Sequence, residues 1–330
     1  MSMAPRQGIA LVELDEDGVD KAFRADVLAG LAQPQKAVPA RWLYDDAGSD
    51  LFEEITRLPE YYLTRAETEI LRGRCEDFRR LIEPGRAVVE FGSGSSVKTP
   101  LLLDCIAPAA YVPLDISGDF LRAASADLAA RFPGLPVHPV EADFMREVEL
   151  PEAVEGLPKL GFFPGSTIGN MVARTAVDLL RSMRATLGAG SQLLIGMDLI
   201  TDVAVLEAAY DDAQGVTAEF NLNLARRINR ELGGTIPVGR LRHVARWNDT
   251  FARIEMHLEA LQDIAFEVSG RRFSMAGGET IHTENSHKFD LRSQNTLLLA
   301  GGWTPACRWL DSEGRFSLIL AEWTVPRGAP

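Results

Sequence analysis

Glu90, Gly92 and Gly94 close an apolar run in Ala87-Val-Val-Glu-Phe-Gly-Ser-Gly-Ser-Ser-Val-Lys-Thr99. That order of residues encodes a strand, a glycine turn and a helix. Glycine has no Cβ, so backbone N–H groups in such a turn can approach a nucleotide-like ligand closely. Two common phosphate binders match poorly. A dinucleotide turn needs a third glycine three places after the second, and that position holds Val97. A phosphate-cradling loop needs glycine before Lys98. What remains suits a ligand without a pyrophosphate, with Glu90 able to face an ammonium group. Asp115, in Tyr-Val-Pro-Leu-Asp115, can accept both hydroxyls of a ribose. Asp143 can accept from an adenine amine, with Phe144 against the ring. Each acid alone is also an ordinary turn or cap residue.

Further polar groups lie later in the chain. Phe163-Pro-Gly-Ser-Thr-Ile-Gly-Asn170 puts two glycines and small hydroxyls at a strand end, where Asn170 offers both a donor and an acceptor. The alternative is a glycine turn with Asn170 capping the next helix. Ile281-His-Thr-Glu-Asn-Ser-His-Lys288 reads as a hydrogen-bonding loop for a polar substrate, with Glu284 and Ser286 facing inward, the alternative being a solvated loop. His282, Glu284 and His287 match no zinc spacing, so no metal is expected. Tyr44, Tyr61, Tyr62, Tyr210 and Phe220 offer apolar walls, the tyrosines with one polar tip. Phe52, Phe120 and Trp247 read as core.

The elements that must position these groups alternate. Strands are expected at 87–91, 110–114, 137–141, 160–163 and 191–197, with helices at 98–106, 118–131 and 175–187. Such βαβ units give a parallel, doubly wound sheet of the Rossmann type, and ligands bind at the carboxyl ends of its strands. Gly92, Asp115, Asp143, Asn170 and Asp198 all fall at such ends. Earlier, helices are expected over 19–33 and 65–81, the second opened by a capping box of Thr64 and Glu67. After residue 200 come helices at 202–210 and 217–231. Antiparallel strands follow at 239–247, 251–258 and 264–268, then a turn at 269–272. A helix at 295–301 and a final strand at 316–324 complete the reading. The change of pattern implies a second α+β lobe. The expected division is 66–200 plus 288–330 for the nucleotide-binding domain, and 1–65 plus 201–287 for the substrate lobe.

The 330 residues suffice for a sizeable core, and 46% hydrophobic with 25% charged residues is ordinary for a globular protein. A net charge of −13 with no Lys/Arg cluster argues against a nucleic-acid partner. Cys75, Cys105 and Cys307 are scattered without metal or redox spacing, which predicts reduced, partly buried thiols. Residues 1–20 lack the apolar core of a signal peptide, and no stretch is apolar enough to span a membrane. A cytoplasmic monomer is expected.

Taken together these residues resemble the histidine-specific S-adenosylmethionine (SAM) methyltransferases of ergothioneine biosynthesis, which trimethylate the α-amine of L-histidine to hercynine. The resemblance runs from Trp42-Leu-Tyr-Asp45 to the final strand. It is closest at Leu58-Pro-Glu-Tyr-Tyr62, Glu90-Phe-Gly-Ser-Gly-Ser95, Gly165-Ser-Thr-Ile-Gly-Asn170, Ala209-Tyr-Asp-Asp-Ala213, Gly215-Val-Thr217, Arg253-Ile-Glu-Met256, Thr283-Glu284 and Ser286. It implies SAM as cofactor, held by Glu90, Gly92, Ser93, Gly94, Lys98, Asp115, Asp143 and Phe144. It implies that Asn170 and Tyr210 hold the substrate carboxylate, and that Tyr61, Glu284 and Ser286 form the imidazole pocket. Phe220 and Met256 become pocket walls, and Tyr44 and Gly165 stand near the reacting amine. A sister group methylates the amine of a tryptophan derivative. Glu284 and Met256 argue against that substrate, because a carboxylate suits an imidazole N–H.

The implied reaction is in-line attack of a neutral amine on a sulfonium methyl, governed by positioning. The amine must first lose a proton, so activity should rise with pH. No dedicated base is evident, and Tyr44 is the best candidate to orient the amine. Gly165 and Gly169 would leave room for added methyls. The rivals are a nicotinamide-dependent oxidoreductase on the same sheet and a noncatalytic SAM- or nucleotide-binding module.

Overall fold

Ala87–Phe91 is buried at every position, as a strand covered on both faces must be. The computed structural model describes residues 13–16, 18–94, 98–116 and 118–323, the side chains of Asp119 and Phe120 excepted. The first twelve residues, Val97, the Phe120 side chain and Thr324, on which expectations fell, lie outside the described residues.

In chain order the first elements are α1 (Lys21–Leu31), β1 (Lys36–Ala37), α2 (Asp46–Ile55), α3 (Leu63–Gly73) and α4 (Cys75–Leu81). The alternating region follows with β2 (Ala87–Phe91), α5 (Thr99–Leu103), β3 (Ala110–Asp115), α6 (Gly118–Arg131), β4 (Val140–Glu141), β5 (Lys159–Phe163), α7 (Ala173–Leu187) and β6 (Gln192–Asp198). Next come α8 (Val203–Ala208), α9 (Val216–Glu231), β7 (Leu241–Asn248), β8 (Arg253–Ala260), β9 (Ile264–Val268), β10 (Arg271–Met275) and β11 (Thr280–His287). The chain closes with α10 (Leu291–Ala300), β12 (Thr304–Leu310) and β13 (Phe316–Glu322).

Two compact units result. The larger holds Leu51–Thr217, Ala245–Glu255 and Asn285 onward. Its seven-stranded sheet runs β12-β13-β6-β5-β2-β3-β4. β2 pairs in parallel with both β3 and β5, so the order reverses at β2, where a ligand crevice opens. Only β13 runs against the others, pairing antiparallel with β6 on one side and β12 on the other. α7 covers the sheet with Ala176, Leu179, Leu180, Met183 and Leu187, spaced as one helical stripe. Trp303 is fully buried in the same core, and its indole N–H donates to the Leu180 carbonyl at 2.9 Å.

The smaller unit holds the residues up to Asp50, then Ala218–Val244 and Met256–Glu284. Asp20 caps α1 by accepting from the Ala22 and Phe23 N–H groups. A four-stranded sheet of order β1-β11-β8-β7 contributes to it, as does the β9–β10 hairpin, which pairs Phe266 with Phe273.

Several expectations need correction. The helix expected over 65–81 is two helices, and α3 is preceded by Tyr62 with no side-chain cap. Glu67 is buried instead of capping. Arg271, placed in a turn, opens β10, and the segment around Glu284 is a strand rather than a loop. Cys75 and Cys105 form a disulfide, with Cα atoms 5.0 Å apart, and Cys307 is free and half-buried. Thirty residues separate the bonded pair, and nothing local in the sequence marks two cysteines that meet only once α4 and the end of α5 pack together.

Candidate active site

The crevice beside β2 is a cleft of about 170 Å³. Glu90, Gly92, Ser93, Gly94 and Lys98 line one side, and Pro164, Gly165 and Thr167 another. Phe52 and Tyr61 also face it, so Phe52 is a wall of the cleft rather than core. Gly92 has φ +75°, and a Cβ there would meet the Phe144 ring at 3.5 Å. A Cβ at that distance would make only an ordinary contact, so it is the positive φ of the turn that calls for glycine. The Gly94 N–H donates to Asp115 Oδ2 at 3.2 Å, which ties the end of β3 to the turn. Asp143 accepts from the Met145 N–H at 3.0 Å, so it holds its own turn.

Glu90 is buried, and its Oε2 accepts from the Thr99 hydroxyl at 2.6 Å and the Tyr111 hydroxyl at 2.5 Å. Burial pushes its carboxyl up to about 7 against those two hydrogen bonds. Because the folded value exceeds the ordinary one, the protein holds this proton more tightly folded than unfolded. The resulting stability is present at low pH and is lost as pH rises toward 7 and beyond. Glu90→Gln should therefore gain about 2–3 kcal/mol on the wild type between roughly pH 5 and pH 8. Urea unfolding of both proteins at the two pH values checks this. A gap that does not change with pH would refute it.

Glu67, which the sequence reading assigned to a cap, lies behind this cleft and holds two of its lining residues. It is 0% exposed. Its Oε2 accepts from Lys98 Nζ at 2.6 Å and from the Gly165 N–H at 2.8 Å. One carboxylate thus ties both walls together. The donor set fits SAM. Carboxylates and glycine amides suit an ammonium and ribose hydroxyls, whereas Glu67, Glu90 and Asp115 would repel a pyrophosphate.

The turn after β5 is a short 3-10 helix, Thr167–Asn170. Ser166, at φ 57°, accepts from the Asp198 N–H through its hydroxyl at 2.9 Å, which fixes the strained backbone. Asn170 ends this turn half-buried, and Val172 rather than Asn170 precedes α7. Gly169 is not spare room for methyl groups. A Cβ there would lie 2.8 Å from the His287 carbonyl oxygen, and the Gly169 carbonyl accepts from His287 Nδ1 at 2.8 Å. With that ring nitrogen engaged and burial pulling the imidazole's affinity for protons down, His287 acts as a neutral brace.

Tyr61, Tyr210 and Ser286 are brought together in the larger unit. The Tyr61 and Tyr210 rings meet edge-on at 6.2 Å, and Tyr210 Oη lies 2.6 Å from Ser286 Oγ. In the smaller unit Tyr44 and Phe220 meet edge-on at 5.4 Å. The loop after Tyr44 is clamped by Asp45, which accepts from the Gly48 N–H, Asn223 and Arg230. Met256 and Glu284 are buried in β8 and β11, and the Thr283 hydroxyl donates to the Met256 carbonyl at 3.0 Å. Tyr111, Asp198 and Lys288 are polar residues of these clusters to which sequence reasoning gave no binding role, and Glu67 is one it assigned to a cap. Asp198 and Lys288 stood out only as a strand-end acid and as the last residue of a polar segment.

The profile of a family described as histidine-specific methyltransferase, SAM-dependent, matches residues 23–323. The chain belongs to this family. Among histidine-specific methyltransferases, it is 40% identical over 316 residues to the histidine N-alpha-methyltransferase of Mycolicibacterium smegmatis, covering 93% of this chain and 97% of that protein. It is likewise 40% identical over 314 residues to the enzyme of that name from Mycobacterium tuberculosis, with the same coverage. Ergothioneine biosynthesis protein 1 of Neurospora crassa is 32% identical over 61% of this chain and 23% of its own length.

Proposed function

We propose that the protein is a SAM-dependent N-methyltransferase that converts L-histidine to hercynine by three methylations of the α-amine, a step of ergothioneine biosynthesis. The near full-length match to histidine N-alpha-methyltransferases carries this reading. It favours histidine over a tryptophan-derived amine, as does the buried Glu284 carboxylate.

SAM supplies an electrophilic methyl on a sulfonium when bound. The chain's own residues bind, orient and exclude water. Gly92, Ser93, Gly94, Asp115, Asp143 and Phe144 are assigned to its nucleoside, and Glu90 and Lys98 to its amino-acid end. Asn170 and Tyr210 hold the substrate carboxylate, and Tyr61, Glu284 and Ser286 the imidazole. Phe220 and Met256 shape the pocket, while Tyr44 and Gly165 lie near the amine. Holding amine and methyl near contact supplies most of the rate, since a neutral thioether leaves without acid assistance. The amine reacts unprotonated, so turnover rises with pH below the amine's own pKa.

A cytoplasmic monomer acting on a small molecule is the matching cellular reading. No described helix is long and apolar enough to cross a membrane, and the acidic charge disfavours nucleic acid. The Cys75–Cys105 bond would there be open to reduction. Mass spectrometry of L-histidine incubated with protein and SAM should show a gain of three methyl groups. An unchanged histidine mass would overturn the proposal.

A further inference from the structure

Lys288, which has been given no role so far, lies at the centre of a buried network in the larger unit. Its side chain and that of Asp198 are both 0% exposed and meet at 2.5 Å. The same Nζ donates to Tyr210 Oη at 3.0 Å and to Ser286 Oγ at 2.9 Å. It also stands 4.6 Å from the Tyr210 ring centroid. Asp198 Oδ1 in turn accepts from the Tyr62 hydroxyl at 2.7 Å and the Leu199 N–H at 3.1 Å. Burial, and then Asp198 itself, push the Tyr62 hydroxyl toward remaining protonated, so it serves here as a donor.

An ammonium has three donors and no acceptor. All three donors of Lys288 are engaged, one by a carboxylate and two by hydroxyl oxygens. Neither hydroxyl can donate back to it, so both hydroxyl protons are directed elsewhere. Tyr210 and Ser286 lie 2.6 Å apart, which places one of those protons between them. The other is directed away from Lys288. A buried Lys–Asp pair contributes little net stability compared with apolar residues of similar shape, so its presence at two strand ends needs a second reason.

We propose that Lys288 is a positioning residue for substrate. By fixing the polarity of the Tyr210–Ser286 pair, it has Ser286 donate to Tyr210 and makes Tyr210 the hydrogen-bond donor to the substrate's α-carboxylate, with Asp198 balancing its charge. The inference rests on the histidine reading above and identifies what orients that reading's carboxylate contact.

Lys288→Met alone would leave Asp198 buried without its cation, so the test uses the neutral pair Lys288→Met/Asp198→Asn. Proteins saturated with S-adenosylhomocysteine are titrated calorimetrically with L-histidine and with histamine, which keeps the amine and imidazole but lacks the carboxylate. The variant should lose about 30-fold in histidine affinity, the scale of a charge-assisted hydrogen bond. Its affinities for histamine and S-adenosylhomocysteine should change less than about twofold. A merely structural role would lower both amines together and leave their ratio unchanged, which would overturn the proposal. Lys288→Gln/Asp198→Asn, closer in shape, gives the same readout with an amide whose oxygen can accept from Tyr210. Its ratio should also fall, and an unchanged ratio overturns the proposal equally. Wild-type protein that binds no histidine would instead sink the histidine reading and this inference with it. Wild-type preference for histidine over histamine that survives in the variants sinks this inference alone.

Discussion

Glu67→Ala will lower the unfolding free energy by about 3 kcal/mol and weaken SAM binding roughly tenfold. The carboxylate is buried, and it is the partner of Lys98 Nζ and of the Gly165 N–H. Alanine removes the charge that pairs with Lys98 and leaves a backbone donor beside the cleft without its acceptor. Lys98 keeps partial access to solvent, with its side chain 15% exposed, so the cost falls at the low end of the range for a broken buried pair. The sequence also leaves room for this carboxylate. A Cβ on Gly196 would lie 2.3 Å from Glu67 Oε1, so glycine at 196 in β6 is what admits it. Glu67→Gln keeps the shape and one acceptor and should lose less than half as much stability. Chemical denaturation with calorimetric titration of SAM checks both effects. An alanine variant equal to wild type in stability and in SAM affinity would show that the bridge is incidental.

The second large effect is expected at Glu284. Glu284→Ala should weaken L-histidine binding about 50-fold while leaving SAM affinity within about twofold, because a hydrogen bond to a charged group contributes about 1.5–3 kcal/mol. Glu284 is buried on β11, next to Thr283, whose hydroxyl is taken by the Met256 carbonyl. A buried carboxylate is stabilised by every donor it accepts from, and an imidazole N–H suits it as one. Glu284→Gln retains an acceptor and should fall between the two. Equal losses for histidine and SAM would contradict the assigned role.

How much of this was legible in the chain depended on where each signal lay. β2 and β9 were read to the residue, because apolar runs bounded by turn residues are a local pattern. β11 was missed for a physical reason. Its buried positions include Thr283, Glu284 and Ser286, so the inward face is polar and the usual alternation of apolar residues is absent. β12 was missed because Pro305 interrupts it, which an edge strand tolerates. Glu67 followed Thr64 at capping-box spacing, and tertiary packing overrode that local preference. The cysteines looked unpaired because an odd count and wide spacing carry no contact information.

The strand–glycine–helix unit, the run of βαβ units behind it and the ordered motifs of a histidine-specific methyltransferase are written in the chain locally. Those features are written in periodicity, in glycine's freedom at turns and in short matches, all of them readable within a few residues. Which polar groups meet is settled by folding. Glu67 finds Lys98 across 31 positions and Gly165 across 98, and Lys288 finds Asp198 across 90. Buried charges must find partners, and folding supplies them from whichever strand ends and helix faces converge at the same place.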